Sequence, residues 1–286
     1  MFEKSLDSMH SHNYALCSRS FVTCVSLNNW SHALYYYIAG AAEVELYRQY
    51  KFSDPKLAAK HAEEATKLLR LAPQHAGKKK FMARQLPFDI FVVRKIKKWD
   101  ARAHDCNLSF IDAVGVSPIE EMIFFWSGYK RMDRKQLEVS MERLSLNEDP
   151  SSNPLWASEA VEEKAILAVL RAVTLRNLGR FDEAKKTLKT SVLSIDRAEL
   201  KGGLKDDWTG PAAHYEMGVN CWMQSRDAAR KNEAETEEKW ARECEGWIEK
   251  AAKWEAYELD ARIGLKIATA QDTLKRWNEK GGKVKV

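Results

Sequence analysis

The chain has 286 residues, of which 45% are hydrophobic and 30% charged, and its formal net charge is +5. These values are typical of a folded protein and exclude wholesale disorder. Its 13 glycines and 7 prolines are too few for the frequent turns of an all-β sandwich. Ala, Leu, Glu, Lys and Arg dominate instead, and these residues favour helices. The composition therefore predicts an all-α fold. The sequence contains no uninterrupted apolar run of about 18 residues, the length that a membrane-spanning helix needs.

Apolar periodicity, helix caps and turn formers divide the chain into helices. Ser117-Pro118 followed by Glu120 supplies an N-cap serine, a proline at the first helical position and a capping-box glutamate. The segment 147–156 holds two prolines and several turn formers, which predicts a linker. The predicted helices, in chain order, are 9–27, 29–49, 55–71, 88–104, 118–131, 134–145, 155–178, 181–197, 211–230, 233–257 and 258–277.

A helix–corner–helix motif recurs along these elements. In residues 176–188, Gly179 turns the chain and Ala184 is small where two helices would touch. Related spacings lie in 28–46, 137–144 and 241–251. A small residue at a helix crossing admits a neighbour's large side chain, and a lone hairpin leaves apolar surface that only stacking can hide. The pattern predicts an irregular tetratricopeptide-like array of helical hairpins, an α–α superhelix or solenoid.

This array is predicted to form a single helical-repeat domain over residues 1–286. The linker leaves open a division into two sub-arrays, 1–147 and 155–286.

Two resemblances to known proteins follow from these segments. The first is local: residues 165–198 are similar to the tetratricopeptide repeat, although Ala168 and Asp196 stand where that repeat usually has Trp and Pro. The whole chain resembles the C-terminal half of the tetratricopeptide repeat protein 39 family, whose fungal branch is the inclusion body clearance protein. The segments that carry this wider resemblance are NNWSHALYYYIAGAAEVEL (28–46), FVVRKIKKW (91–99), PIEEMIFFWSGYKRM (118–132), PAAHYEMGVNCW (211–222) and AKWEAYELDARIGLKIATA (252–270).

The resemblance implies a helical repeat protein of the cytoplasm and nucleus. In fungi it implies a link to lipid droplets and to the clearance of misfolded-protein inclusions, without enzyme activity. Longer family members carry further helical sequence before this region, so we expect this chain to be the C-terminal part of a longer protein.

Motifs for catalysis and cofactor binding are missing from the sequence. We find no GxSxG elbow, no GxxxxGK[ST] phosphate loop and no GxGxxG fingerprint. His61 opens HAEEA, but Ala65 stands where a zinc protease has its second histidine. The cluster His104-Asp105-Cys106 contains residue types that bind metals, but no second pair of such residues lies at a suitable distance along the chain. The sequence therefore predicts no catalytic residues, no metal site and no cofactor.

Cysteines and tryptophans are predicted to serve packing rather than chemistry. The cysteines are odd in number and form no CxxC pair, which indicates reduced, buried thiols. They are Cys17, Cys24, Cys106, Cys221 and Cys244. Several tryptophans fall on helical faces, where they are expected to fill gaps between helices. These are Trp30, Trp126, Trp240, Trp247 and Trp254.

A basic tract is the first candidate binding surface. Residues 76–104 hold nine Lys/Arg against two Asp, interleaved with aromatic residues. The candidate basic surface comprises Lys78, Lys79, Lys80, Arg84, Arg94, Lys95, Lys97 and Lys98. It could bind an anionic lipid surface or an acidic protein, and these outrank nucleic acid because no nucleic-acid module surrounds it. The alternative is that Phe88, Phe91, Val92 and Ile96 face the core while the charges face water.

The second candidate is a groove for a protein segment. In helical arrays the first helix of each hairpin lines the concave side. The groove candidates are therefore Met122, Trp126, Tyr129, Lys130, Val173, Arg176 and Asn177. The preferred hypothesis is a non-enzymatic scaffold that binds other proteins, including lipid-droplet proteins. The alternative is a peripheral lipid- or sterol-associated protein that uses the basic tract or a cavity between helices.

Overall fold

The computed structural model describes residues 2–28, 30–78, 80–81 and 84–279. Within them the chain divides into two compact units, a first unit of Met1–Ser158 and a second unit of Glu159–Val286. The boundary follows the segment 147–156, in which the sequence predicts a linker. Nearly all regular structure in the described residues is helical, so the predicted all-α class is confirmed.

The first unit contains seven helices among its described residues. Their bounds are α1 Phe2–His10, α2 Tyr14–Leu27, α3 His32–Tyr50, α4 Pro55–His75, α5 Pro87–Asp105, α6 Pro118–Phe125 and α7 Arg134–Ser145. One 3₁₀ turn, Gly128–Arg131, lies between α6 and α7, and a second, Trp156–Ser158, follows α7. A minimal antiparallel ladder joins β1, Lys80–Phe81, to β2, Arg84–Gln85.

Capping residues fix where several of these helices begin. The Asp54 carboxylate accepts from the Leu57 N–H, and the next residue is a proline at the first helical position of α4. Ser117 caps α6 in the same way, as the sequence predicts. Asp133 and Gln136 form a reciprocal capping box at the start of α7. These side chains satisfy backbone donors that a helix start otherwise leaves unpaired.

Helix α3 is the centre of the first unit. It packs against α2, α4, α5 and α6, and it is buried around most of its circumference. Gly40 allows α4 to approach closely, because a Cβ at this position would lie 2.7 Å from Leu69 Cγ. The packing of α3 on α4 therefore requires a small residue at this crossing.

The second unit contains six helices among its described residues. They are α8 Val161–Asn177, α9 Phe181–Ser191, α10 Arg197–Leu200, α11 Thr209–Arg230, α12 Ala234–Ala252 and α13 Asp260–Glu279. Gly179 forms the corner between α8 and α9 with a φ of 80°, a conformation that favours glycine. Ala184 and Leu188, predicted to face the neighbouring helix, are both buried.

Neighbouring helices of the second unit pack in pairs. Helix α8 packs on α9 and α11, and α11 packs on α12. The buried residues of α12 are Ala241, Cys244, Ile248 and Ala251, and all four lie in the segment 241–251, where the sequence predicts a copy of the motif. The hairpin interpretation of this segment is confirmed.

Several predicted helix boundaries are wrong. The helix predicted at 9–27 is interrupted at residues 11–13, where His12 has a φ of 55° and Asn13 caps α2. The helix predicted at 118–131 ends at Phe125, and Ser127 turns the chain with a φ of 57°. The helix predicted to begin at 155 begins at Val161 instead. The break at residues 11–13 contains no glycine or proline that would signal it in the sequence, whereas Gly128 follows the end of α6 within the predicted helix 118–131.

Four of the five cysteines are buried, as predicted, whereas Cys106 is exposed at the end of α5. Burial raises the pKa of Cys17, Cys221 and Cys244 to about 12. These thiols therefore remain protonated near neutral pH and pack as small apolar groups. Of the five tryptophans predicted to fill interhelical gaps, Trp30 does not, because it precedes α3 and is 73% exposed.

Candidate functional site

The basic tract divides into a buried and an outer face along α5. Phe91, Val92 and Ile96 are buried, as the helical spacing predicts, and Phe88 contacts the rings of Phe125 and Trp126. The core-facing interpretation of these apolar residues is thereby confirmed.

Lys95 does not belong to the predicted basic surface. Its side chain is 1% exposed, and its Nζ donates to Glu121 Oε1 at 2.6 Å, where Glu121 is 0% exposed. The ammonium also lies over the rings of Phe91 and Trp99. The prediction fails because Lys95 lies one helical turn from Phe91 and faces the core with it. A paired carboxylate and two aromatic rings make this burial possible.

The other described members of the basic surface lie on the outer side. Lys78 and Lys97 are exposed, and Arg94 and Lys98 are half-buried. Arg94 also lies over the ring of Phe91, at 5.3 Å from its centroid. The side chains of Lys79, Lys80 and Arg84 lie outside the described residues. Lys97, Arg94 and Lys98 therefore form the described outer face of α5.

The groove candidates of the first unit are mostly inaccessible. Met122 is 0% exposed and Tyr129 is 2% exposed, so neither side chain can line a surface for a docked peptide. Trp126 is half-buried, and Lys130 is exposed in the 3₁₀ turn. The predicted helix 118–131 runs through all of these residues, whereas α6 ends at Phe125. Lys130 and the exposed part of Trp126 remain as contact points.

The groove candidates of the second unit form internal contacts. Val173 is buried, and Asn177 Nδ2 donates to the Val173 carbonyl at 2.8 Å. Arg176 Nη2 pairs with Glu216 Oε2 at 2.7 Å, and the two side chains are 12% and 4% exposed. This ion pair joins α8 to α11, so Arg176 supports the hairpin packing rather than an open surface.

A buried polar network joins the corner before α2 to α6 and α7. His12 Nε2 lies 3.2 Å from Glu120 Oε1 and 3.0 Å from Ser140 Oγ. Tyr129 donates to the other Glu120 oxygen at 2.7 Å. Serine, histidine and glutamate are residue types of nucleophilic catalysis, but Glu120 and Ser140 are both 0% exposed. A substrate cannot reach Ser140, so the network stabilises packing. The sequence gives no local signal for it, because His12 lies more than a hundred residues from Glu120 and Ser140.

Three buried carboxylates come together in the second unit. Glu162, Glu163 and Asp206 each place an oxygen within 4.8 Å of the others. Oxygen ligands of this kind could hold a divalent cation. The Asp206 N–H donates to Glu162 Oε2 and the Trp208 indole donates to Asp206 Oδ1, so the cluster is also tied into the local hydrogen bonding. No local motif predicts this cluster, because Asp206 lies 44 residues from Glu162 along the chain.

Across the described residues, no helix has both the length and the apolar character needed to cross a membrane.

Comparison with known proteins identifies the family. Residues 1–178 match the family described as Iml2/Tetratricopeptide repeat protein 39. The chain is 50% identical over 291 residues to the inclusion body clearance protein iml2 of Aspergillus niger, covering 97% of this chain and 42% of that protein. It is 37% identical to the inclusion body clearance protein of Pyricularia oryzae, and the match covers 98% of this chain and 41% of that protein. It is 33% identical to that of Yarrowia lipolytica, and the match covers 96% of this chain and 38% of that protein. No solved structure matches the chain.

The chain thus spans about two fifths of the length of these curated relatives. Both the family match and the relatives confirm the resemblance that the sequence motifs predict, and they agree with a tetratricopeptide-like helical array. The chain belongs to the Iml2/Tetratricopeptide repeat protein 39 family.

Proposed function

We propose that this chain acts in inclusion body clearance as a non-enzymatic scaffold that binds other proteins. The observation that carries the proposal is the 50% identity, over 97% of this chain, to a protein named for inclusion body clearance. The proposal includes action in the cytoplasm and nucleus and contact with lipid-droplet proteins.

The arrangement of side chains in the first unit supports a binding role. Ser140, His12 and Glu120 are enclosed, so this set of chemically capable residues serves the core. By contrast, Lys130 is exposed in the 3₁₀ turn that follows the half-buried Trp126. An aromatic surface next to a cation is a common anchor for a protein segment, since it combines apolar contact area with charge selection. The partner segment would carry an acidic residue opposite Lys130.

We expect charge reversal at Lys130 to impair clearance. In a fungal strain that lacks its own copy, the full-length protein carrying Lys130→Glu should dissolve inclusions of a fluorescent misfolded reporter more slowly than wild type. Recovery of partner proteins should fall about fivefold, which corresponds to roughly 1 kcal/mol of lost binding free energy. Time-lapse imaging and quantitative affinity purification measure the two effects.

Lys135→Glu is the matched control, because Lys135 is likewise exposed but lies on α7 rather than in the 3₁₀ turn that follows Trp126. It should leave clearance and partner recovery unchanged. Equal behaviour of the two variants would remove Lys130 from the binding surface. Normal clearance in the strain without any copy would refute the proposed role itself.

The outer face of α5 supports peripheral lipid binding as a second candidate. Ile90 is 50% exposed, and Arg94, Lys97 and Lys98 follow it at helical spacings of four, seven and eight residues. An apolar side chain beside several cations suits an anionic membrane surface, to which each basic residue adds about 1 kcal/mol.

We expect the chain to float with vesicles of mixed phosphatidylserine and phosphatidylcholine at low salt. Ile90→Asp combined with Lys97→Glu should abolish this flotation, while Lys60→Glu, at an exposed position of α4, should preserve it. Binding that is the same with pure phosphatidylcholine vesicles would contradict the electrostatic part of this candidate. Failure of flotation at low salt would exclude it.

A further inference from the structure

A polar cavity of about 80 Å³ lies within the first unit. It is enclosed by the C-terminal end of α3, by α5, by the loop 106–117 and by the C-terminal end of α7. Its charged lining residues are Arg48, Lys51, Arg102, Arg143, Glu45 and Asp112. Cations outnumber carboxylates by two, so the cavity is electropositive.

Three of the cations build the wall of the cavity. Arg48 donates to the carbonyls of Val114 and Gly115 at 3.0 and 2.6 Å. Arg102 donates to the Ala113 carbonyl at 2.8 Å, and Lys51 pairs with Asp112 at 2.7 Å. These bonds hold the loop against α3 and α5, so the site is formed before any ligand arrives.

Asp112 remains ionised within this wall. Burial raises the pKa of Asp112, but hydrogen bonds from Lys51, Tyr47 and Ser109 outweigh it and hold the pKa below its usual value. The excess of two positive charges therefore persists near neutral pH.

Arg143 is different from the wall residues. Within the described residues its guanidinium forms no hydrogen bond or ion pair, and its Nε is buried without a partner. An arginine is always protonated, and a buried donor without an acceptor is unfavourable. The neighbouring Asn153 also lines the cavity, and its side-chain amide has no acceptor among the described residues. Both groups offer donors to an oxyanion.

Size and charge select the class of anion. A cavity needs roughly 10–15 Å³ to hold one water molecule. At about 80 Å³, this cavity accommodates a group of several heavy atoms. A phosphate monoester carries a charge of about −1.5 to −2 at pH 7, which matches the excess of two cations. Its several oxygens can accept from Arg143, Lys51 and Asn153 together, and arginine pairs with phosphate bidentately. Phe52, 68% exposed, lines the same cavity and offers an apolar face to the organic part of an ester.

We propose that this cavity binds the phosphate group of a small molecule, with Arg143 as the principal ligand and Lys51 and Asn153 as further donors. The bound phosphate supplies the acceptor that Arg143 lacks. It also links α7 to the loop and to α3, so binding stabilises the first unit.

Isothermal titration of the full chain tests the site, with inorganic phosphate and glycerol 3-phosphate as separate probes. Ionic strength is held constant so that screening of surface charge does not change between injections. Wild type should bind inorganic phosphate, and Arg143→Gln should weaken binding at least tenfold. Arg134→Gln is the control, because Arg134 lies on the same helix, is 79% exposed and pairs with Glu138 outside the cavity. It should bind within twofold of wild type.

The two probes distinguish the source of the phosphate. Tighter binding of glycerol 3-phosphate identifies an ester, aided by Phe52, and equal binding identifies the free anion. Both results support the site if they depend on Arg143. No heat of binding at about 10 mM of either probe would overturn the proposal, since this concentration detects millimolar affinity. Equal losses in Arg143→Gln and Arg134→Gln, with both variants folded by circular dichroism, would also overturn it.

Discussion

Lys95→Met should lower the free energy of unfolding by about 3–5 kcal/mol, although methionine is more apolar than lysine and of similar length. The reason is the partner that the substitution leaves behind. Glu121 is 0% exposed and accepts from Lys95 at 2.6 Å, so the substitution takes the Lys95 ammonium away from a buried carboxylate. Urea denaturation followed by circular dichroism measures the loss as a lower midpoint.

The double variant Lys95→Met with Glu121→Leu isolates this cause. When both charges are replaced by apolar groups of similar volume, stability should return to within about 1 kcal/mol of wild type or exceed it. Lys97→Met is the control on the same helix, and its effect should stay within about 0.5 kcal/mol because Lys97 is exposed. A single Lys95→Met variant as stable as Lys97→Met would show that the pair contributes little.

The Lys95 position also shows what sequence patterns can and cannot predict. Residues 91, 95 and 99 share one face of a helix, and Phe91 and Trp99 are buried. The spacing therefore contained the signal that Lys95 faces the core, but its charge favoured the surface assignment. The identity of its partner was not predictable, because Glu121 lies on another helix and no local rule connects the two.

Helix existence was predictable, whereas helix ends that depend on tertiary contacts were not. Pro55, Pro118 and their capping residues mark starts that the structure confirms. The break at residues 11–13 carries neither glycine nor proline. His12 adopts its positive φ while its ring reaches Glu120 and Ser140, contacts that form only after α6 and α7 have packed.

The same limit explains the candidate sites. The usual geometry of regular repeats predicts that Met122 and Tyr129 line a groove, but α6 is short and both side chains enter the core. The cavity at Arg143 was not predicted, because its lining comes from segments between residues 45 and 153. Local sequence motifs predict which face of a helix is buried. They do not predict such a cavity, because it depends on how distant segments of the chain pack together.

Trp99→Ala should destabilise the chain by about 3–5 kcal/mol, the range typical of a large buried aromatic side chain replaced by alanine. Trp99 is 1% exposed, and its ring lies parallel to that of Tyr37 on α3, with centroids 6.0 Å apart and an interplanar angle of 8°. Its edge contacts Phe110 in the loop after α5. The substitution therefore opens a cavity where α3, α5 and this loop meet, and it removes an aromatic stack as well.

Trp30→Ala is the matched control, because the same atoms are removed from a side chain that is 73% exposed. Its effect should stay within about 0.5 kcal/mol, so the two tryptophan variants should differ by several kcal/mol in urea denaturation. Trp99→Phe should fall between them, since phenylalanine keeps a ring beside Tyr37 but fills less of the space. If Trp30→Ala lowers the free energy of unfolding as much as Trp99→Ala does, the Trp30 side chain is buried. The segment before α3 then packs against the helices, as the repeat pattern predicts.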